Sequence, residues 1–209
     1  MYYSYEGQDR WVLETLGFKR DGIFLDLGAG DGITGNNTYA LEKDYGWTGA
    51  CAENHPERFS LLEQNRSASK YNYMVHDDFD TCLIDEEGKE ITDPNGTGYT
   101  ANCITIGEIL VREGLVNGLV DYMSLNVGGN EFEALGTIDF TKTQIALISV
   151  QHNKYKTYYN GIDNIFYLLN SNGFERMHLD VCGQNPFREK SINQPYEDWY
   201  YNKSLITHP

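Results

Sequence analysis

Short apolar runs alternate with amphipathic stretches along this chain, and glycines or acids mark the junctions. Gly7 to Gly17 carries Trp11, Val12 and Leu16 at helical spacing and stops at a glycine, which predicts a short amphipathic helix. The run Ile23 to Leu27 then breaks into glycines, as a buried parallel strand feeding a tight turn does. Asn37 to Tyr45 has helical character and stops at Gly46, and TGACAEN predicts a second strand ending in Glu53. Pro56 opens a helix over PERFSLLEQNR, a position that tolerates proline. YNYMVHDDF predicts a third strand ending in Asp77 and Asp78, and Asp85 to Tyr99, rich in Asp, Glu, Gly, Asn and Pro, predicts an exposed loop or hairpin.

The second half repeats the alternation. ITIGEILVREG has helical spacing and ends at Gly114; VDYMSLNVGG and IALISVQHN are strand candidates on either side of a helix beginning near Asn130. IDNIFYLLNSNG predicts an amphipathic helix, and FERMHLDVCG and DWYYNKSLI two closing strands. Strands alternating with helices in this order predict right-handed βαβ units and a largely parallel sheet covered on both faces. No repeat, low-complexity tract or long linker interrupts the 209 residues, so a single domain is expected. On such sheets ligands bind beyond the carboxyl ends of the strands, which selects the residues that carry chemistry.

Charge narrows the partners. Lys+Arg 16 against Asp+Glu 31 gives a net charge of −15, which repels phosphate backbones and anionic lipid surfaces; nucleic acid is disfavoured and an uncharged or cationic acceptor fits better. Cys51, Cys82, Cys103 and Cys182 show no metal-ligand spacing, so no structural zinc site is expected, and their low density suggests reduced thiols. The first residues are polar and aromatic, and no apolar run approaches the roughly 20 residues of a membrane span. A soluble, cytoplasmic protein is expected.

Asp26 to Gly32 reads DLGAGDG at a strand-to-helix junction, where glycines permit positive φ and let backbone approach a ligand closely. The dinucleotide pattern GxGxxG would need its third glycine at Ile33, so nicotinamide cofactors fit poorly. Glu53 lies 21 residues after Gly32 at the next strand end, where a carboxylate can accept from ribose hydroxyls. A carboxylate-lined pocket attracts a sulfonium and repels a pyrophosphate, which favours S-adenosylmethionine over NAD.

The blocks GQDRWVLETLG, IFLDLGAGDG, NNTYALEKDYGWTGACAENHPERFSLLEQNR, VDYMSLNVGGNEFEAL and ISVQHN, in this order, resemble the FkbM family of methyltransferases over most of the chain. The resemblance implies a Rossmann-like α/β class I methyltransferase fold, with a mostly parallel seven-stranded sheet and helices on both faces. It implies S-adenosyl-L-methionine as donor and O-methylation in glycan, polyketide or natural-product pathways. Carried over by position, it places Asp26, Gly28, Gly30, Asp31, Glu53 and Asn54 at the cofactor and Asp77 and Asp78 near its adenine.

Two departures stand out. The family's DvEG is here Asn126-Val127-Gly128-Gly129, and the Glu of its vEHN is Gln151. Divalent ions of the hard class want carboxylate oxygens, so a metal-independent enzyme is expected, or an inactive cofactor-binding domain. A sugar hydroxyl is a weak nucleophile, which makes His152, at the end of the fifth strand, the candidate base; a histidine satisfied by a backbone hydrogen bond is the competing reading. Asn126, Gln151 and Asn153 are expected to orient the acceptor, and Tyr155, with Tyr158 and Tyr159, to offer a stacking surface. The expected acceptor is a deoxyhexose or another small hydroxylated molecule.

Overall fold

β1 (Ile23–Leu27) is central to a seven-stranded sheet because its side chains are apolar on both faces: Phe24 packs on one side, Leu25 and Leu27 on the other. A computed structural model describes residues 1–78, 80–85, 90–91, 96–152, 161–182 and 195–207. β2 (Thr48–Ala52) and β3 (Ser69–Tyr71) extend the sheet on one side of β1, and β7 (Leu119–Leu125), β8 (Gln144–Gln151), β10 (Pro195–Asn202) and β9 (Phe174–Cys182) on the other. All pairs are parallel except those of β10, which runs antiparallel to both β8 and β9. A second, three-stranded sheet has β6 (Tyr99–Ile104) between β4 (Met74–Val75) and β5 (Thr81–Ile84).

Alternation along the strands assigns the helices to two faces. Phe24, Tyr122 and Leu147 join one buried cluster with α1 (Gln8–Thr15), α2 (Tyr39–Tyr45) and α3 (Pro56–Asn65), through Val12, Leu41 and Leu62. Leu25, Met123 and Ile148 join the other with α4 (Ile106–Arg112), α5 (Glu131–Leu135) and α6 (Gly161–Ser171), through Ile109, Leu135 and Leu169. This is the Rossmann-like arrangement of class I methyltransferases. Among the described residues no helix is long and apolar enough to cross a membrane.

The third predicted strand divides in two. Ser69–Tyr71 continues the main sheet beside β2, while Met74–Val75 pairs with β6 in the second sheet. Asn72 turns the chain between them and ties the turn to the sheet, its Nδ2 donating to the Glu53 carbonyl at 3.0 Å. Asp77 and Asp78 consequently follow a strand of the second sheet and do not stand at a tip of the main one.

Sheet order reverses at β1: β2 lies on one side and β7 on the other, and the loops leaving β1 and β7 diverge there. Such a switch point opens a crevice at the carboxyl ends of the strands.

Candidate active site

A cavity of about 520 Å³ occupies that crevice. Its floor is the turn after β1. Asp26, buried at the end of the strand, accepts from Asn36 Nδ2 and Thr38 Oγ1, each at 2.7 Å, and so anchors the far end of the loop that the glycines begin. Arg66 enters the same network from the end of α3, donating to Asn36 Oδ1 at 3.0 Å and Thr38 Oγ1 at 2.8 Å. Asp31 closes the turn on itself by accepting from the Ile33 and Thr34 amides and from the Thr34 hydroxyl. Burial pushes the Asp31 carboxyl upward, but these donors outweigh it and hold it below its ordinary range.

Glu53 reaches across from the end of β2. Its Oε2 accepts from the Gly30 amide and its Oε1 from the His55 amide, both at 2.8 Å, so the carboxylate is fixed in place with lone pairs to spare for a ligand. Gly30 lines the cavity at φ 60°, and a Cβ built there meets no atom within 4 Å, so that face of the turn is open. Among the described residues, Glu6, Asp26, Asp31 and Glu53 line the cavity with Arg58, a charge balance that makes its field negative. An open glycine turn beside a buried, pre-oriented carboxylate in a negative cavity fits a nucleoside bearing a sulfonium and opposes a pyrophosphate.

Of the residues expected at the cofactor, Asp26, Gly28, Gly30, Asp31, Glu53 and Asn54 line this cavity. Asp77 and Asp78 do not; Asp77 instead lies 2.7 Å from His76 Nδ1. Tyr73, Met74 and Val75 take the place expected for the acids, because the split of the third strand turns them toward the cavity.

On the acceptor side Asn126 and Gln151 line the cavity, whereas Asn153, Tyr155, Tyr158 and Tyr159 lie outside the described residues. His152 does not line it. The side chain is 2% exposed with Nε2 3.4 Å from Asp198 Oδ1, and the backbone amide donates to the Tyr196 carbonyl at 2.7 Å. Backbone pairing of β8 with β10 turns this side chain into the protein, so in this geometry it touches no acceptor. Tyr5, Glu6 and Gln8 are cavity residues absent from the sequence-based set. They are brought over the β8–β10 end of the site because Gln8 Nε2 donates to Glu197 Oε2 on β10 at 2.9 Å, a contact 189 residues apart in sequence.

A family model described as the methyltransferase FkbM domain matches residues 26–183. The chain belongs to the FkbM methyltransferase family. This FkbM protein is therefore an S-adenosylmethionine-dependent methyltransferase. No curated protein sequence matches it. Its fold is similar to that of a Listeria monocytogenes protein assigned as an S-adenosylmethionine dependent methyltransferase, at 9% identity and TM-score 0.52, over 94% of this chain and 98% of the other. The precorrin-6y C5,15-methyltransferase of Geobacter metallireducens GS-15 shows 12% identity and TM-score 0.49 over 93% and 88%. The magnesium protoporphyrin IX methyltransferase of Synechocystis PCC 6803, solved with bound S-adenosylmethionine, shows 10% identity and TM-score 0.49 over 95% and 77%.

Removing Glu53 tests the cofactor half of the site. Glu53→Ala is expected to weaken S-adenosylhomocysteine binding on the order of 10-fold or more, since it deletes a charge-assisted acceptor and frees the Gly30 amide. Calorimetric titration reads this directly, and unchanged affinity would show that the ribose is held elsewhere.

Two further carboxyls, which hydrogen-bond cavity residues Val127 and Gln8, are expected to make folding stability depend on pH. Burial raises Glu131 to about 7 against the pull of the Val127 and Gly129 amides, which its Oε1 accepts at 3.1 Å and which shape the loop after β7. Burial likewise raises Glu197 to about 7, opposed by hydrogen bonds from Gln8 and Trp199. Both are raised above their ordinary value of about 4.5, so the folded state holds protons that the unfolded state has lost between about pH 4.5 and 7. Their stabilisation is complete below that window and is lost as pH rises through about 7. Urea unfolding from pH 5 to 8 is expected to show stability falling by up to about 1.4 kcal/mol per pH unit per group. Glu131→Gln and Glu197→Gln should each flatten the fall, and equal slopes in wild type and both variants would rule the assignment out.

Proposed function

We propose that this enzyme O-methylates a hydroxyl of a small, uncharged, sugar-like acceptor, with the whole 209-residue chain acting as one cytoplasmic catalytic domain and without a catalytic metal. The observation that carries the reading is the division of one cavity into two chemistries. Toward β2 it presents the glycine turn and Glu53; from the ends of β7, β8 and β10 and the N-terminal segment it presents the amides of Asn126, Gln151 and Gln8 and the phenol of Tyr196, beside Glu6, while the Tyr5 ring lies over Gly35. Amides donate and accept in the plane of a ring hydroxyl while tyrosine faces cover apolar sugar surface, a combination suited to a neutral polyol.

When bound, S-adenosylmethionine supplies an electrophilic methyl group on its sulfonium. Asn126 and Gln151 then orient the acceptor hydroxyl in line with it, and holding the reactants at near-attack distance provides most of the acceleration. The N-terminal segment over Tyr5 to Gln8 covers this end of the cavity and limits water. Glu6, the one carboxylate of the cavity carried by that segment, takes the hydroxyl proton on its side-chain oxygen. His152, buried against Asp198, holds the end of β8 that carries Gln151 and is assigned to positioning rather than proton transfer.

Screening neutral sugars, anionic sugars and polyketide alcohols for S-adenosylhomocysteine release, with and without added magnesium or manganese, tests the acceptor class. Turnover on neutral sugars is expected to need neither ion, and Glu6→Gln to lower kcat on the order of 10²-fold with cofactor affinity unchanged. Turnover confined to anionic or polyketide acceptors, or dependent on added magnesium or manganese, would overturn the proposal.

A further inference from the structure

The second sheet gathers donors that the sequence keeps apart. Met74 on β4 pairs in register with Cys103 on β6, and the His76 amide continues that ladder by donating to the Ile104 carbonyl at 2.9 Å. Residues two apart share a face, so His76 and Cys103 face the same way as Met74. Cys82 on β5 pairs with Ala101, two residues before Cys103, and Ile84 bridges to Glu90. Imidazole, two thiols and a carboxylate thus converge on one face. The Cys82 and Cys103 thiols hydrogen-bond each other, both residues are buried, and His76 Nε2 lies 3.4 Å from Glu90 Oε2.

We propose that His76, Cys82 and Glu90, with Cys103 as the fourth donor, form a site for a thiophilic divalent cation of the zinc class. Donor atoms of the first three lie within 4.8 Å of one another. A point central to three atoms so spaced is at most about 2.8 Å from each, within an ångström of zinc's bond lengths of roughly 2.0–2.3 Å to sulfur, nitrogen and oxygen. Cys103, beside Cys82 on the same face but outside that spacing, would move in on binding to complete a four-coordinate set of two sulfurs, one nitrogen and one oxygen, and thiolates select a soft cation over magnesium or calcium. On binding, each thiol loses its proton to solvent as its sulfur–metal bond forms, and the imidazole binds through a neutral nitrogen. The site braces β4, β5 and β6 against the cofactor cavity, because Met74 lines that cavity and Glu90 also accepts from Asn130 Nδ2 at 3.5 Å, beside the loop that follows β7.

A second cluster, His152, Asp180 and Asp198, shares the spacing but not the argument. The Arg176 guanidinium already sits 3.0 Å from Asp198, whose other oxygen accepts the Asp180 amide at 2.7 Å, so a cation there would meet a positive charge in place.

The test is titration of the metal-stripped full-length protein with Co²⁺, followed by displacement with Zn²⁺. One equivalent of Co²⁺ is expected to bind with thiolate-to-cobalt charge-transfer absorption in the near ultraviolet, and Zn²⁺ to bleach it and raise Tm. Cys82→Ser and Cys103→Ser should each diminish that absorption, and His76→Asn and Glu90→Gln should weaken affinity on the order of 10–100-fold while leaving both thiols in place. Cys51→Ser should change nothing. If a serine variant fails to fold by circular dichroism, the His76 and Glu90 variants still decide the matter. Binding without sulfur charge transfer, affinity unmoved in those two variants, or a band lost in His152→Ala would each overturn the site.

Discussion

Replacing Arg66 by methionine is expected to cost about 3–5 kcal/mol of folding stability and to lower Tm on the order of 10 °C. The side chain is wholly buried, yet it does not sit in a hydrocarbon environment. Its Nε donates to Glu42 at 2.7 Å, its Nη1 to the Gly32 carbonyl and Asn36, its Nη2 to Thr38, and Asp26 lies 3.7 Å away. Methionine fills comparable volume, so the loss is electrostatic: two carboxylates would be left facing each other's network without a cation. Cofactor affinity should fall in the same variant, because Asn36 and Thr38 hold the loop whose other end is the glycine turn. Arg66→Lys restores charge without the planar set of donors and should recover part of the loss. Urea unfolding measures both variants. A methionine variant within about 1 kcal/mol of wild type would show that the network contributes packing alone.

How much of this was legible in the sequence depends on how local each feature is. β1, its glycine turn and the acid closing β2 are local: an apolar run, a change to glycine, and a carboxylate at a fixed interval. Their convergence on one cavity follows from the parallel ladder of Leu25 with Ala50 and Leu27 with Ala52, which the alternating pattern predicts. The third strand reads as one element because YNYMV interrupts its apolar and aromatic residues only at Asn72, and no periodicity reveals that this residue turns the chain from one sheet to another. The same stretch therefore points to Asp77 and Asp78, whereas Tyr73, Met74 and Val75 line the cavity. His152 has the right position in sequence, but its orientation is set by β10, a strand more than 40 residues later that runs antiparallel to its neighbours. Gln8 owes its place in the cavity to Glu197 on that strand. Arg66 and the His76–Cys82–Cys103 group carry no spacing rule; only the folded sheet order brings their partners to them.

The two glycines of the turn should fail in different ways when each acquires a methyl group. A Cβ on Gly28 would lie 1.9 Å from the Asn126 carbonyl oxygen, at φ 91°, just past the ends of β1 and β7 and before their loops diverge. That oxygen belongs to a backbone held in place by the Asn126 amide donating to Leu27 at 2.8 Å, so it has little room to yield. Gly28→Ala is accordingly expected to cost about 3–5 kcal/mol, combining backbone strain with overpacking, and to abolish cofactor binding by pushing the two halves of the cavity apart. Gly30→Ala meets no atom, and its φ of 60° costs only about 1–2 kcal/mol for a residue with a side chain. Its methyl group instead occupies the open face beside Glu53, so this variant should stay folded while S-adenosylhomocysteine affinity drops on the order of 10-fold or more. Denaturation midpoints set beside calorimetric affinities separate the cases: stability lost at position 28, binding lost at position 30. Equal loss of stability in both variants would mean that the turn serves packing alone and that the nucleoside does not approach the backbone there.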